Sequence, residues 1–171
     1  MCEGEKTEPN YFRSFRLSSA RVEIVHDTSD PLNIVEATLA ILEGQQFDYA
    51  WCVFDRDNHD LQRFNKALSL AHKNGIKVAY SNEAFELWYL LHFNFVQHGE
   101  SRTRYKKLLT KALGKTYQKN SESMFDDLIA LQRVAIVNAS KLLKLYKKTN
   151  PASDNPSTTV HLLVTSLNSF L

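Results

Sequence analysis

The apolar spacing of this chain predicts an α/β fold: a mostly parallel sheet flanked by helices, with a helical C-terminal half. Three observations carry that reading. Tyr49-Ala50-Trp51-Cys52-Val53-Phe54 is apolar almost throughout, which suits a strand covered on both faces. Strand, helix, strand, helix and strand alternate over residues 21–80 with short connections, the pattern of a doubly wound sheet. After Asn82 the apolar residues recur at helical spacing.

In chain order, Arg21-Val22-Glu23-Ile24-Val25 has the β-branched alternation of a short strand. Asp30-Pro31 opens a helix, with Asp30 as cap and Pro31 in the first turn. Ile34, Val35, Leu39 and Leu42 form its apolar stripe, and Gly44 stops it. The apolar strand ends at Phe54. A helix is expected over 60–73, ended by Asn74-Gly75, and a strand over 76–80. Residues 85–93 predict an aromatic-rich buried helix and 101–113 a basic one. A long helix is expected over 122–148, with Leu128, Leu131, Val134, Ile136, Val137, Leu142, Leu143 and Leu145 as its apolar set. After the Pro151 and Pro156 turns, a last helix is expected over 157–171. The chain of 171 residues divides into an α/β core, 1–100, and a basic helical extension, 101–171, packed on it as one compact unit.

No stretch of about 18 apolar residues occurs, so no membrane span is expected. The chain runs from Met1-Cys2-Glu3 straight into charged residues, without the pattern of a signal peptide. Cys2 and Cys52 are too few for a disulfide framework or a zinc site, and read as small buried hydrophobes. A cytoplasmic protein is the expectation. The net charge of +2 conceals an asymmetry. Residues 1–60 hold 12 acids and 5 bases, whereas 101–148 hold 3 acids and 12 bases. Carboxylates for a cation and a separate surface for phosphates suit a metal-dependent nucleic-acid enzyme. Basic helices that merely solvate a surface look the same in sequence.

Val53-Phe54-Asp55-Arg56-Asp57-Asn58-His59 is the most informative segment. Ligands of open α/β sheets bind beyond the carboxyl ends of the strands, where Asp55 and Asp57 would stand. Carboxylates held this close repel unless a cation or proton lies between them, and Mg²⁺ suits such a pair. A pair of turn-forming aspartates is the alternative. In Cys2-Glu3-Gly4-Glu5-Lys6-Thr7-Glu8-Pro9, Glu3 sits beside a flexible glycine and Lys6 could hold a phosphate. The same residues also read as an acidic first turn of a helix. Glu86, a charge within the aromatic helix, is either an outer metal ligand or the partner of an arginine. His92 reads as a hydrogen-bonded core residue.

CEGEKTEPNYF, VFDRDNH and SNEAFELWYLLHF, in this order, resemble the RloB-like family associated with abortive infection and phage defence. The resemblance covers nearly the whole chain. It implies a relation to the Toprim (Rossmann-like) fold, whose pattern is a Glu after one strand and Asp-x-Asp after a later one. Glu3, Asp55 and Asp57 match those positions. Only Met1 and Cys2 precede Glu3, where Toprim proteins carry an apolar strand. His59 stands where a third acid is usual.

The resemblance implies Mg²⁺- or Mn²⁺-dependent phosphodiester hydrolysis of DNA or RNA, tRNA included. Glu3 would be the general base or acid, and Asp55 and Asp57 the ligands together with Glu3 and, further out, Glu86. Lys6, His59, Arg102, Arg104, Lys106, Lys107 and Lys111 are the candidate phosphate contacts. The resemblance also implies an ATPase partner protein. Two other classes stay open: a non-catalytic partner module of a defence ATPase, and a haloacid-dehalogenase-like phosphatase with Asp55 as nucleophile.

Overall fold

The computed structural model describes residues 1–171. Strand β1 (Trp51–Asp55) pairs in parallel with β2 (Lys77–Asn82), with Trp51 opposite Lys77 and Asp55 opposite Ser81. On the far side of β2, the two-residue β3 (Ser157–Thr158) runs antiparallel. On the free side of β1 lies the start of the chain. The Val53 amide donates to the Met1 carbonyl at 2.8 Å and the Glu3 amide to the Val53 carbonyl at 2.9 Å. Cys2 is bridged in parallel to both Val53 and His26. Met1–Glu3, where the sequence left no room for a strand, thus covers the free edge of β1.

The sheet is nonetheless smaller than expected and only partly parallel. Residues 21–25 form no strand. Their backbone meets the sheet only at its end, where the Cys2 amide donates to Val25 and that of Asp27 to Cys2. Val22 and Val25 are exposed, and only Ile24 packs partly against the core, so the alternation does not form a buried face. Ser157 and Thr158, expected to begin the last helix, are strand instead. The Thr158 hydroxyl donates to the Tyr80 carbonyl at 2.9 Å and shares a bond of 2.9 Å with Ser81, which satisfies the polar edge of β2. The last helix therefore starts at Val160.

Alternation along β1 separates two layers. Cys52 and Phe54 face α2 (Pro31–Gly44) and α3 (Leu61–Lys73), joining Ile34, Val35, Phe64 and Ala67 in one apolar cluster. Val53 and Ala79 face a larger cluster on the other side. That layer is built by α1 (Thr7–Arg13), α4 (Glu86–Leu90), α5 (Arg102–Leu113), α6 (Met124–Leu128), α7 (Gln132–Leu143) and α8 (Val160–Asn168). Coverage on both faces is what the apolar run of β1 required. Cys2 and Cys52 are both free and buried.

The aromatic helix is shorter than its apolar run, ending at Leu90. The long helix expected over 122–148 is broken into α6, a 3-10 turn at Ile129–Leu131, and α7. Ala135, Ala139 and Leu142 face the core, while Val134, Val137 and Leu145 are exposed. Small alanines let α7 approach its neighbours closely, so the larger side chains turn outward.

Asp30 caps α2, accepting from the Leu32 amide at 2.9 Å and the Asn33 amide at 3.3 Å. Its other oxygen takes the exposed Arg63 guanidinium at 2.7 Å, a contact that adds little. Asp30→Ala should therefore cost about 1 kcal/mol through the lost cap, read as a lower urea midpoint with an unchanged slope. An unmoved midpoint would show the cap to be dispensable.

Candidate active site

Asp55 shares the face of Val53, so its carboxylate points into the layer of α1, α4 and α5 rather than into solvent. It is only 7% exposed. Arg102, the first residue of α5, places one guanidinium nitrogen 2.8 Å from Asp55 Oδ2 and 3.3 Å from Asp57 Oδ2. Asp57 reaches this point through a left-handed backbone (φ 37°), a conformation Asp tolerates better than most residues. Its amide donates to the Glu83 carbonyl at 3.0 Å, while the Arg56 amide donates to Ser81 at 2.8 Å. The Arg102 amide donates to Glu83 Oε1 at 3.2 Å.

Glu3 uses both carboxylate oxygens. Oε2 accepts from the Asp55 amide at 2.9 Å and Oε1 meets His59 Nε2 at 2.9 Å. Glu8, in the first turn of α1, is buried, and its Oε2 has no hydrogen-bond partner. Gly4 permits this arrangement, because a Cβ there would collide with that oxygen. Glu86 is buried behind the site and accepts from the Tyr117 hydroxyl at 3.3 Å.

Burial pushes the Asp55 carboxyl well above its ordinary range, and the charges of Glu8, Glu3 and Glu86 push it further, against Arg102. Burial also raises Glu8, with Glu3 and Glu86 adding to the rise. Arg102 moves upward too. Its own burial opposes its charge, but Asp55, Asp57, Glu86 and Glu3 outweigh that. Both members of the Arg102–Asp55 pair rise, Asp55 chiefly through burial with the neighbouring carboxylates adding to it, and Arg102 through those carboxylates. Tyr117 is raised by burial first and by Glu86 second.

Glu3, Glu8, Asp55 and Asp57 border a pocket of about 460 Å³ with no apolar residue in its wall; Lys6, Arg102 and Lys119 supply its cations. A larger pocket of about 720 Å³ lies beyond Met1 and Cys2, against residues 17–25 and α2. It is largely apolar and holds none of these carboxylates.

Glu3, Asp55 and Asp57 all line the polar pocket. Of the candidate phosphate contacts, Arg102 is not on a free basic face, because it is committed to the two aspartates. His59 is likewise committed to Glu3, and Lys6 lies at the pocket rim. Arg104, Lys107 and Lys111 are exposed along α5 and Lys106 is half-buried. Glu86 pairs with a tyrosine, not an arginine. His92 is buried, its Nδ1 is 3.0 Å from the Trp88 carbonyl, and burial lowers its pKa to about 4. Sequence reasoning missed Glu8, Glu83 and Tyr117. Glu8 looked like an ordinary first-turn acid, and its only signal was the adjoining Gly4.

A family model described as RloB-like protein matches residues 1–167. The chain belongs to the RloB-like protein family. A search of curated proteins and one of solved structures each gave no match. No helix of this RloB-like chain is long and apolar enough to cross a membrane.

No three His, Cys, Asp or Glu side chains are assembled around one point as a metal centre. Arg102 stands between two of the donors that would form it. The donor chemistry does fit a hard divalent cation: every candidate is a carboxylate, and Glu8 leaves one buried oxygen unpartnered. Closing these groups on a metal requires the guanidinium to move.

The pKa directions set a pH dependence. A carboxyl whose pKa rises on folding binds its proton more tightly in the folded state. Its contribution to stability is present below the ordinary carboxylate range and is lost as pH rises through the folded value. Metal-free RloB-like protein should thus lose stability through Asp55 and Glu8 from about pH 4 upward. Asp55→Asn should raise the urea midpoint at pH 7 and flatten this decline. A variant less stable than its parent at neutral pH would contradict the assignment.

Proposed function

We propose that this RloB-like protein is a metal-dependent phosphodiesterase acting on nucleic acid, with Mg²⁺ or Mn²⁺ as cofactor and the corner formed by Glu3, Asp55 and Asp57 as its centre. The observation that carries the reading is the convergence of carboxylates from separate chain segments on a wholly polar pocket, with too few cations to neutralise them. When bound, the metal supplies electrostatic stabilisation of charge developing on the attacking and leaving oxygens. Asp55 and Asp57 would hold it, with Glu3, Glu8 and Glu86 as further carboxylates of the corner. Glu3, fixed between the Asp55 amide and His59, is oriented to accept a proton at Oε1, with His59 as the relay. Lys6 and Lys119 at the rim suit the entering backbone of a strand, and Arg104, Lys107 and Lys111 suit its continuation along α5.

The setting that goes with this reading is phage defence by abortive infection, in company with an ATPase, in the cytoplasm. A non-catalytic role beside that ATPase is the second reading. It is favoured by one observation, the closure of Arg102 over the aspartates. The two separate on one variant: Asp55→Asn removes protection from infection if the site is catalytic and leaves it intact if the protein acts only by docking.

Cleavage of single- and double-stranded DNA and of RNA with Mg²⁺ or Mn²⁺, with and without the ATPase, should fall at least about 10²-fold in Asp55→Asn and Asp57→Asn. Chelation should abolish it. Equal cleavage by parent and both variants would place the chemistry elsewhere. Binding to the backbone through α5 should weaken steeply with salt. Arg104→Ala with Lys107→Ala should reduce the slope of log K against log salt by up to about 2. An unchanged slope would assign these charges to a protein partner or to solubility.

A further inference from the structure

Arg102 is paired in a way that suits neither its shape nor its surroundings. A guanidinium carries five donors in a rigid fork that matches one carboxylate or phosphate through two parallel bonds. Here a single terminal nitrogen is divided between Asp55 Oδ2 and Asp57 Oδ2. Nε is buried and has no hydrogen-bond partner. The base of the residue is held separately, by the bond from its amide to Glu83 and by its place at the start of α5. The head can change partners without unfolding the helix. A divalent cation placed between the aspartates would take the oxygens that the terminal nitrogen now uses, and two positive groups cannot share that point cheaply.

We infer that Arg102 is a built-in counter-ion of the Asp55–Asp57 pair, which a divalent cation displaces and which then turns its freed fork to a substrate phosphate. The inference rests on the cation-binding reading proposed above. It makes Arg102 a latch in the metal-free protein and a phosphate ligand in the loaded one. The exchange keeps a cation on the Asp55–Asp57 pair at each stage: the guanidinium serves first, the metal replaces it, and the freed guanidinium meets the incoming phosphate. The unpartnered Nε is the donor that the latched state leaves unused.

The test uses the full chain with Mn²⁺ and inorganic phosphate as probes. Removing a competing cation should tighten Mn²⁺ binding by about tenfold in Arg102→Gln, measured by calorimetry or by the paramagnetic resonance of free Mn²⁺. Phosphate binding to the Mn²⁺-loaded protein should weaken by a similar factor in the same variant. Arg102→Lys, which keeps the charge but not the fork, should fall between parent and Gln for both. Opposite changes for metal and phosphate are the signature, since simple loss of structure would weaken both. Mn²⁺ affinity that is unchanged or weaker in Arg102→Gln, while the parent binds Mn²⁺, would overturn the inference and leave the cation reading standing. Tighter Mn²⁺ with unchanged phosphate would overturn the second half, the turn to phosphate. No Mn²⁺ bound by either protein would overturn both. If the Gln variant does not fold, the Nε–Hε resonance of Arg102 in the parent decides: it should shift on saturation with Mg²⁺, and an unmoved signal overturns the displacement.

Discussion

Asp55 ends a strand that is buried on both faces, and its ionised carboxylate is tolerated there only while a cation stays close. That constraint organises the corner of the molecule around it. β1 needs apolar layers on either side, so its last residue cannot turn back to water without leaving the sheet. The α5 layer supplies Arg102, but Glu3, Glu8 and Glu86 bring further negative charge to the same place. A protein built for stability alone would replace such a corner with apolar or neutral groups, since buried charge is costly even when paired. Keeping it makes sense where a ligand completes the balance.

The short run Met1–Glu3 is the second member of the arrangement. It sits between β1 and the backbone of residues 25–27, and this sheet pairing delivers the Glu3 carboxylate to the Asp55 amide. Glu3 is therefore positioned by backbone pairing, with almost no length of strand. Glu8 then follows from Glu3, because the chain turns at Gly4 into α1 and the first turn of that helix lies across the pocket.

Much of this was legible in the sequence for a simple reason. The apolar run suits an interior strand, although the strand begins at Trp51 and Tyr49 is exposed; Asp55 is its last residue, and the chain leaves the sheet between Asp55 and Asp57. Asp30-Pro31 and Asn74-Gly75 marked helix ends because cap and turn chemistry is local. What was not legible depended on distant partners. Val22, Ile24 and Val25 alternate like a strand, but whether a neighbour exists to pair with them is not written in those residues. Ser157-Thr158 looked like a helix start, since hydroxyls cap helices as readily as they meet the polar edge of β2. The same limit applied to Arg102, which local sequence groups with Arg104, Lys106, Lys107 and Lys111, and which only the tertiary fold separates from them.

That separation has a consequence for how the basic half is read. Charges along one helix are commonly treated as a single surface, and a count of them would credit Arg102 to the positive side. Its charge is instead spent inside the acidic corner, so the outward face of α5 is weaker by one cation than its sequence suggests. The two ends of α5 then do different work. The start is electrostatically part of the carboxylate site, and the exposed Arg104, Lys107 and Lys111 are the portion free to act at longer range. Both lie on one helix anchored by buried Tyr105 and Leu109, so under the proposed function a nucleic-acid strand along the outer face would be held in fixed register with Asp55 and Asp57. That register, more than the number of basic residues, would then decide which phosphate of the strand can reach the carboxylates.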